Sequence, residues 1–127
     1  MKNVINWFEI YASDFNRAKT FYTTVFKYQL TDLPVSSDRH SQMEYATFSA
    51  EDSGTGACGA LVRMDEVKPG NGGLLIYFAS ENIDDELSRV EAAGGKIVRP
   101  KLSVGELGFI AFVEDTEGNM IGLRSAK

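Results

Sequence analysis

The sequence predicts an α+β chain: two tandem βαβββ modules forming a curved mixed sheet around a cleft, with the helices on the outer face. Three observations predict it. Strand-type alternation gives way to helix-type spacing twice, in the same order along the chain. One glycine-rich stretch, Lys68-Pro69-Gly70-Asn71-Gly72-Gly73, divides the chain nearly in half. The letters repeat as well: Tyr11-Ala12-Ser13-Asp14 opens the first helix and Phe78-Ala79-Ser80-Glu81 opens the second. The chain has 127 residues, so either half alone would bury little apolar surface. One domain over residues 1–127 is expected, with module one at 1–67, a linker at 68–73 and module two at 74–127.

In the first module, Ile5 to Tyr11 alternates in period two and reads as a strand. Ser13-Asp14 is a helix N-cap signal. Ala18, Phe21, Tyr22 and Val25 then recur at helical spacing, with Lys19 and Lys27 on the wet side. Strands are expected at Tyr28 to Thr31, Met43 to Phe48 and Ala57 to Met64, with Gly54-Thr55-Gly56 as a break. The second module repeats the order. Leu74 to Ala79 is an apolar strand, Ser80-Glu81-Asn82 supplies a cap, and Ile83, Leu87 and Val90 mark a helix face stopped by Gly94-Gly95. Lys96 to Pro100 reads as a strand ended by proline, and Phe109 to Val113 as the next. Asp115 to Asn119 is turn chemistry, and Met120 to Arg124 closes the set.

Composition excludes several classes. Hydrophobic residues make up 43% and charged residues 24%, which suits a globular chain. Thirteen Lys and Arg against eighteen Asp and Glu leave a formal charge of −5, which argues against a nucleic-acid partner. No apolar run approaches the ~20 residues that span a bilayer, and the first residues lack the pattern of a signal peptide. A soluble, cytoplasmic protein without a membrane partner is therefore expected. The single cysteine, Cys58, allows no internal disulfide and reads as a buried, inert thiol. Gly54 to Gly59 lacks the Lys-Ser/Thr that would complete a phosphate loop. One histidine, His40, is too few for a Cys/His zinc site. It lies in the polar stretch Ser36 to Gln42 and reads as a surface residue rather than a triad member.

The arrangement resembles the vicinal oxygen chelate superfamily, which includes glyoxalase I, extradiol dioxygenases, fosfomycin-resistance enzymes and bleomycin-resistance proteins. Asp14-Phe15-Asn16-Arg17-Ala18-Lys19-Thr20-Phe21-Tyr22 matches its Asp-x-x-Arg-Ala-x-x-Phe-Tyr helix. Ala92 to Ile97 matches the end of its second helix. Phe112 to Asn119 matches its Asp-Pro-Glu-Gly-Asn hairpin, with Thr116 in place of proline. The Trp-Phe-Glu-Ile of the first strand is similar to a short, glyoxalase-related branch. The resemblance implies a homodimer, a small-molecule ligand and, in glyoxalase-like members, a divalent metal on inward strand faces. Aligned from the caps and the hairpin, three of those ligand positions fall on Trp7, Leu75 and Gly122, whose side chains cannot coordinate a metal. Ala60 to Arg63 offers no carboxylate or imidazole for the remaining one. No metal or other cofactor is therefore expected.

Period two puts Trp7, Glu9 and Tyr11 on the cleft face, with Phe8 and Ile10 under the helix. Leu75 and Tyr77 should face the cleft from the second module, joined by Gly122, which leaves space, and Arg124. These seven residues are the expected ligand pocket. A plain packing alternative has the same side chains filling the cleft, with Glu9 neutralised by Arg63 or Arg124. Glu9 is the catalytic candidate: between Trp7 and Tyr11 it would be partly desolvated and moved toward general-base range. The expected function is a metal-independent enzyme or binder for a small organic ligand. Alternatives are a drug-sequestering protein without catalysis, or a metal-dependent lyase or dioxygenase with relocated ligands from Glu9, His40 and Glu44.

Overall fold

A computed structural model describes residues 7–34, 43–48, 56–65, 67–70 and 72–127. His40 and residues 5 and 6 of the expected first strand lie outside the described residues. The first module runs β1 (Trp7–Tyr11), α1 (Phe15–Phe26), β2 (Leu30–Asp32), β3 (Glu44–Phe48) and β4 (Cys58–Arg63). The second runs β5 (Ile76–Ala79), α2 (Ile83–Val90), β6 (Lys96–Ser103), a short 3-10 turn (Gly105–Leu107), β7 (Phe109–Glu114) and β8 (Met120–Ser125). The hydrogen bonding divides into two four-stranded sheets, β1-β4-β3-β2 and β5-β8-β7-β6. Each module therefore uses one strand order: its first strand pairs in parallel with its last, and the other neighbours are antiparallel.

Local chemistry sets the element ends. Asp14 caps α1 by accepting the Arg17 N–H at 3.0 Å, and Asn82 caps α2 by accepting the Asp84 N–H at 3.0 Å. Beyond α2, a Cβ on Gly95 would come within 2.7 Å of the Glu114 carbonyl and 2.5 Å of the Phe21 ring, so only glycine fits there. The expected stop of β6 at Pro100 is corrected: the strand continues to Ser103. It lies on the sheet edge, and its register shifts between Ile97, Arg99 and Leu102. A residue without an N–H is tolerated at such a place.

One core joins the modules. The α1 face of Phe21, Tyr22, Val25 and Phe26 packs with Ile10 and Leu61 from the first sheet and with Phe78, Ile83, Val90, Val113 and Leu123 from the second module. Phe8 of β1 and Phe78 of β5 meet edge-on at 5.9 Å. Polar contacts reinforce this join. Glu117, in the β7–β8 hairpin, accepts the Ser13 and Asp14 N–H groups, both at 2.8 Å. It also pairs with the Arg17 guanidinium at 2.7 and 3.1 Å. The Glu117 side chain is fully covered while that of Arg17 remains half exposed. Asp115 accepts the Tyr22 hydroxyl at 2.7 Å and the N–H groups of Glu117 and Asn119 at 2.8 and 2.9 Å. Asn119 donates to the Tyr11 carbonyl at 2.8 Å, at the end of β1.

Burial pushes the Glu117 carboxyl up, but Arg17, Thr116 and the Asp14 and Ser13 N–H groups outweigh it and hold it at about 2, against an ordinary 4.5. A carboxylate depressed in the folded state stabilises above its unfolded value and loses that contribution as pH falls. Chemical denaturation across pH should therefore show a loss of stability attributable to this group between about pH 4.5 and about pH 2. Glu117→Gln should flatten that slope and lower stability at neutral pH by about 1–3 kcal/mol, through loss of charged hydrogen bonds.

Candidate functional site

Phe8 and Ile10 belong to the core side of β1, so the pleat sends Trp7, Glu9 and Tyr11 to the opposite, open face. The cross-strand partners of these three on β4 are Cys58, Ala60 and Val62. Ala60 and Val62 are fully buried and form a smooth floor. On β3, Tyr45 lies opposite Val62, which brings its ring to the same face.

These side chains form one hydrogen-bonded network. Tyr11 donates its hydroxyl to Glu9 Oε1 at 2.6 Å, and Tyr45 donates to Glu9 Oε2 at 2.7 Å. The Trp7 indole N–H donates to the Tyr45 oxygen at 3.2 Å. Trp7 is still 44% exposed, so the network borders solvent. The hydrogen bond to Glu9, burial, and the Glu9 and Tyr45 charges push the Tyr11 phenol up to about 12. Burial and then the bond to Glu9 also raise the Tyr45 phenol, against a smaller opposing effect of Trp7. Both phenols are donors at neutral pH. A carboxylate offers about four lone-pair positions, so the two phenols leave room for further donors.

The expected cation partners of Glu9 are corrected. Arg63 pairs with Glu44 at 2.7 Å and Asp65 at 3.5 Å, and Arg124 donates to the Leu107 carbonyl at 3.1 Å. Two phenols take the place assigned to a guanidinium. Tyr45 was missing from the expected site, although the alternation of Met43, Tyr45 and Thr47 with Glu44, Ala46 and Phe48 could have placed it on the open face. Cys58 is half-buried opposite Trp7 rather than buried in the core.

The remaining expected pocket residues lie in the second module. Tyr77 stands across from Gly122 on β8, which in turn pairs with Phe112 on β7. The space expected above Gly122 is taken: a Cβ there would lie 2.6 Å from the Tyr77 ring. Tyr77 also meets Phe112 at 6.1 Å. Leu75 is half-buried just before β5, and Arg124 is exposed. Among the described residues, no hydrogen bond, ion pair or ring contact joins this group to the Trp7–Glu9–Tyr11 group. The seven residues therefore form two open-face groups.

The family's metal does not fit the donors at the aligned positions. Trp7, Leu75 and Gly122 supply no ligand atom from their side chains, and the Tyr77 ring covers Gly122. Among the described residues, no group of three or more His, Cys, Asp or Glu converges. Of the relocated set, Glu9 points from the open face, while Glu44 sits one residue out of that alternation, against Arg63. A shallow hollow lined by Ser13, Asp14, Phe15, Asn16, Glu44 and Arg63 lies by the start of α1. Within it Arg63 pairs with Glu44, and the Glu117 carboxylate takes the Ser13 and Asp14 N–H groups.

Titration of tyrosine ring resonances checks the network. The Tyr11 phenol should titrate near pH 12, and Glu9→Gln should bring it back toward 10 by removing the anionic acceptor. A Tyr11 midpoint unmoved by Glu9→Gln would break the assignment.

Comparison with known proteins agrees with this frame. Residues 4–123 match the model of the Glyoxalase/Bleomycin resistance protein/Dioxygenase superfamily. Proteins named "Putative glyoxylase CFP32" from Mycobacterium bovis and Mycobacterium tuberculosis are 28% identical over 123 residues, 95% of this chain and 45% of theirs. The chain thus spans about half the length of these curated relatives. Among solved structures, TnmS3, an antibiotic binding protein from Streptomyces sp. CB03234, superposes with a TM-score of 0.71 at 23% identity, covering 99% of this chain and 98% of that one. A glyoxalase I mutant from Zea mays gives a TM-score of 0.71 at 16% identity, covering 95% of this chain and 45% of that one. With its βαβββ duplication and its helix and hairpin motifs, the chain belongs to the Glyoxalase/Bleomycin resistance protein/Dioxygenase superfamily.

Proposed function

We propose that the chain binds a small organic molecule on the open face of its first sheet, without a metal. The observation that carries this reading is the Trp7–Tyr45–Glu9–Tyr11 network, a partly buried carboxylate held between aromatic rings. Ligand sites commonly combine an apolar wall with a few oriented polar groups. Glu9 anchors the ligand through its free lone pairs, and the phenols fix its direction. Turnover of the bound compound would make the protein a metal-independent enzyme; stable binding alone would make it a binder. Similarity to an antibiotic binding protein favours the second version, drug sequestration. A homodimer is part of the proposal, since Tyr77 and Leu102 leave apolar surface exposed that a second copy would cover. No described helix is long and apolar enough to cross a membrane, and a cytoplasmic site of action completes the reading.

A thermal-shift screen of small organic compounds on chelator-treated protein tests the proposal, because a ligand that binds the native state raises its melting temperature. Hits should appear without divalent metal. Trp7→Ala or Glu9→Gln should weaken them by about tenfold or more, the loss of one charged hydrogen bond or one aromatic wall. Stabilisation that requires added metal, or that survives both substitutions, would contradict it.

A further inference from the structure

We propose that Asn119 is a positioning residue for the Glu9 network: from the second module it locks the Tyr11–Ala12 peptide and so aims the Tyr11 phenol at the carboxylate. The inference rests on the open-face reading above and adds to it a buried residue that lies outside that face.

β1 is an edge strand, and Tyr11 is its last residue. In a trans peptide the carbonyl and the following N–H point in opposite directions. The Ala12 N–H donates to the Val62 carbonyl of β4 at 2.9 Å, so the Tyr11 carbonyl of the same peptide faces away from β4. The sheet has no strand there to supply a donor. Asn119 Nδ2 supplies it, at 2.8 Å. The peptide is therefore held from both sides, and with it the backbone on which the Tyr11 rotamer depends. The hydroxyl of that ring ends 2.6 Å from Glu9 Oε1.

Asn119 is itself fixed in one orientation. Its Nδ2 also donates to Asp115 Oδ2 at 3.0 Å, and its own N–H donates to Asp115 Oδ1 at 2.9 Å. Its Oδ1 accepts the Gly70 N–H at 2.8 Å. Turning the amide over would set an oxygen against two acceptors, the Tyr11 carbonyl and the Asp115 carboxylate, and an NH2 group against the Gly70 N–H. An aspartate would set its charge against the same two acceptors, so the position calls for an amide. Asp115 is held in turn by the buried Tyr22 hydroxyl at 2.7 Å. Tyr45 reaches Glu9 from β3, and among the described residues no hydrogen bond joins it to Asn119. Of the two phenols on Glu9, the Tyr11 one alone answers to the second module.

Titration of the tyrosine rings by NMR reads the placement of Tyr11 without any ligand, so its outcome is independent of the compound screen. In the wild-type protein the Tyr11 midpoint should lie near 12. In Asn119→Ala, and in Asn119→Ser, whose hydroxyl stops one bond short of the Tyr11 carbonyl, it should fall toward 10 while Tyr45 stays raised. Val90→Ala is the control. It opens the core that joins the modules and lowers stability without touching Asn119, and it should leave Tyr11 near 12. A Tyr11 midpoint that is unmoved in Asn119→Ala, moves as far in Val90→Ala, or moves together with that of Tyr45 would overturn the proposal. The wild-type chain gives a second reading that needs no variant to fold. A scalar coupling across the hydrogen bond should link Asn119 Nδ2 to the Tyr11 carbonyl carbon, and Tyr11 should hold a single χ1 rotamer. Absence of that coupling, or an averaged rotamer, would overturn the proposal equally. Failure of the compound screen alone would remove the ligand and leave the hold of Asn119 on Tyr11.

Discussion

The covered Glu117 carboxylate at the start of α1 is the contact on which the rest of the arrangement depends. It takes the N–H groups of Ser13 and of the cap residue Asp14, just before that helix, and the Arg17 guanidinium, from a hairpin about a hundred residues away in sequence. A helix N-terminus favours negative charge, and here the second module supplies it. The same hairpin places Asp115 against the buried Tyr22 hydroxyl and Asn119 against the carbonyl of Tyr11. The last of these ties the end of β1, the strand that carries Trp7 and Glu9, to the other half of the molecule. The motifs that resemble the family are thus the two sides of one joint, and their role is to hold the modules in register.

The same duplication yields two different open faces. In each module the core takes alternate residues of the first strand, Phe8 and Ile10 in one and Phe78 in the other. The other residues must then face outward. In the first module they are Trp7, Glu9 and Tyr11, which gather Tyr45 into a polar, aromatic network. In the second they include Tyr77, lying over Gly122 against Phe112. One face therefore carries an oriented charge, and the other a packed aromatic surface. The ligand reading belongs to the first because, of the two open faces and among the described residues, that is where donors, rings and a carboxylate converge.

What was legible in the sequence followed from local periodicity. The Phe8–Ile10 alternation, the Asp14 and Asn82 caps and the Gly94-Gly95 stop all act within a few residues, and all of them place elements where the structure has them. Register-dependent contacts were not legible. The Glu9 partners come from β1 itself and from β3, and only the pairing through β4 shows that Tyr45 reaches Glu9. Gly122 read as empty space because a side chain from a neighbouring strand, Tyr77, fills it. Pro100 read as a strand end because its position on a shifted sheet edge is a property of the assembled sheet. The Glu117 hairpin was visible as a motif, but its role lies in a contact between distant segments.

The family frame is present, and the side chains aligned with its metal ligands are an indole, an isobutyl group and a hydrogen. Metal analysis of protein purified without chelator tests the metal-free reading most directly. Far less than one divalent ion per chain is expected, with ligand-induced stabilisation unchanged by chelation. A stoichiometric ion held by residues of β1, β5 or β8, and lost together with ligand binding on chelation, would contradict it.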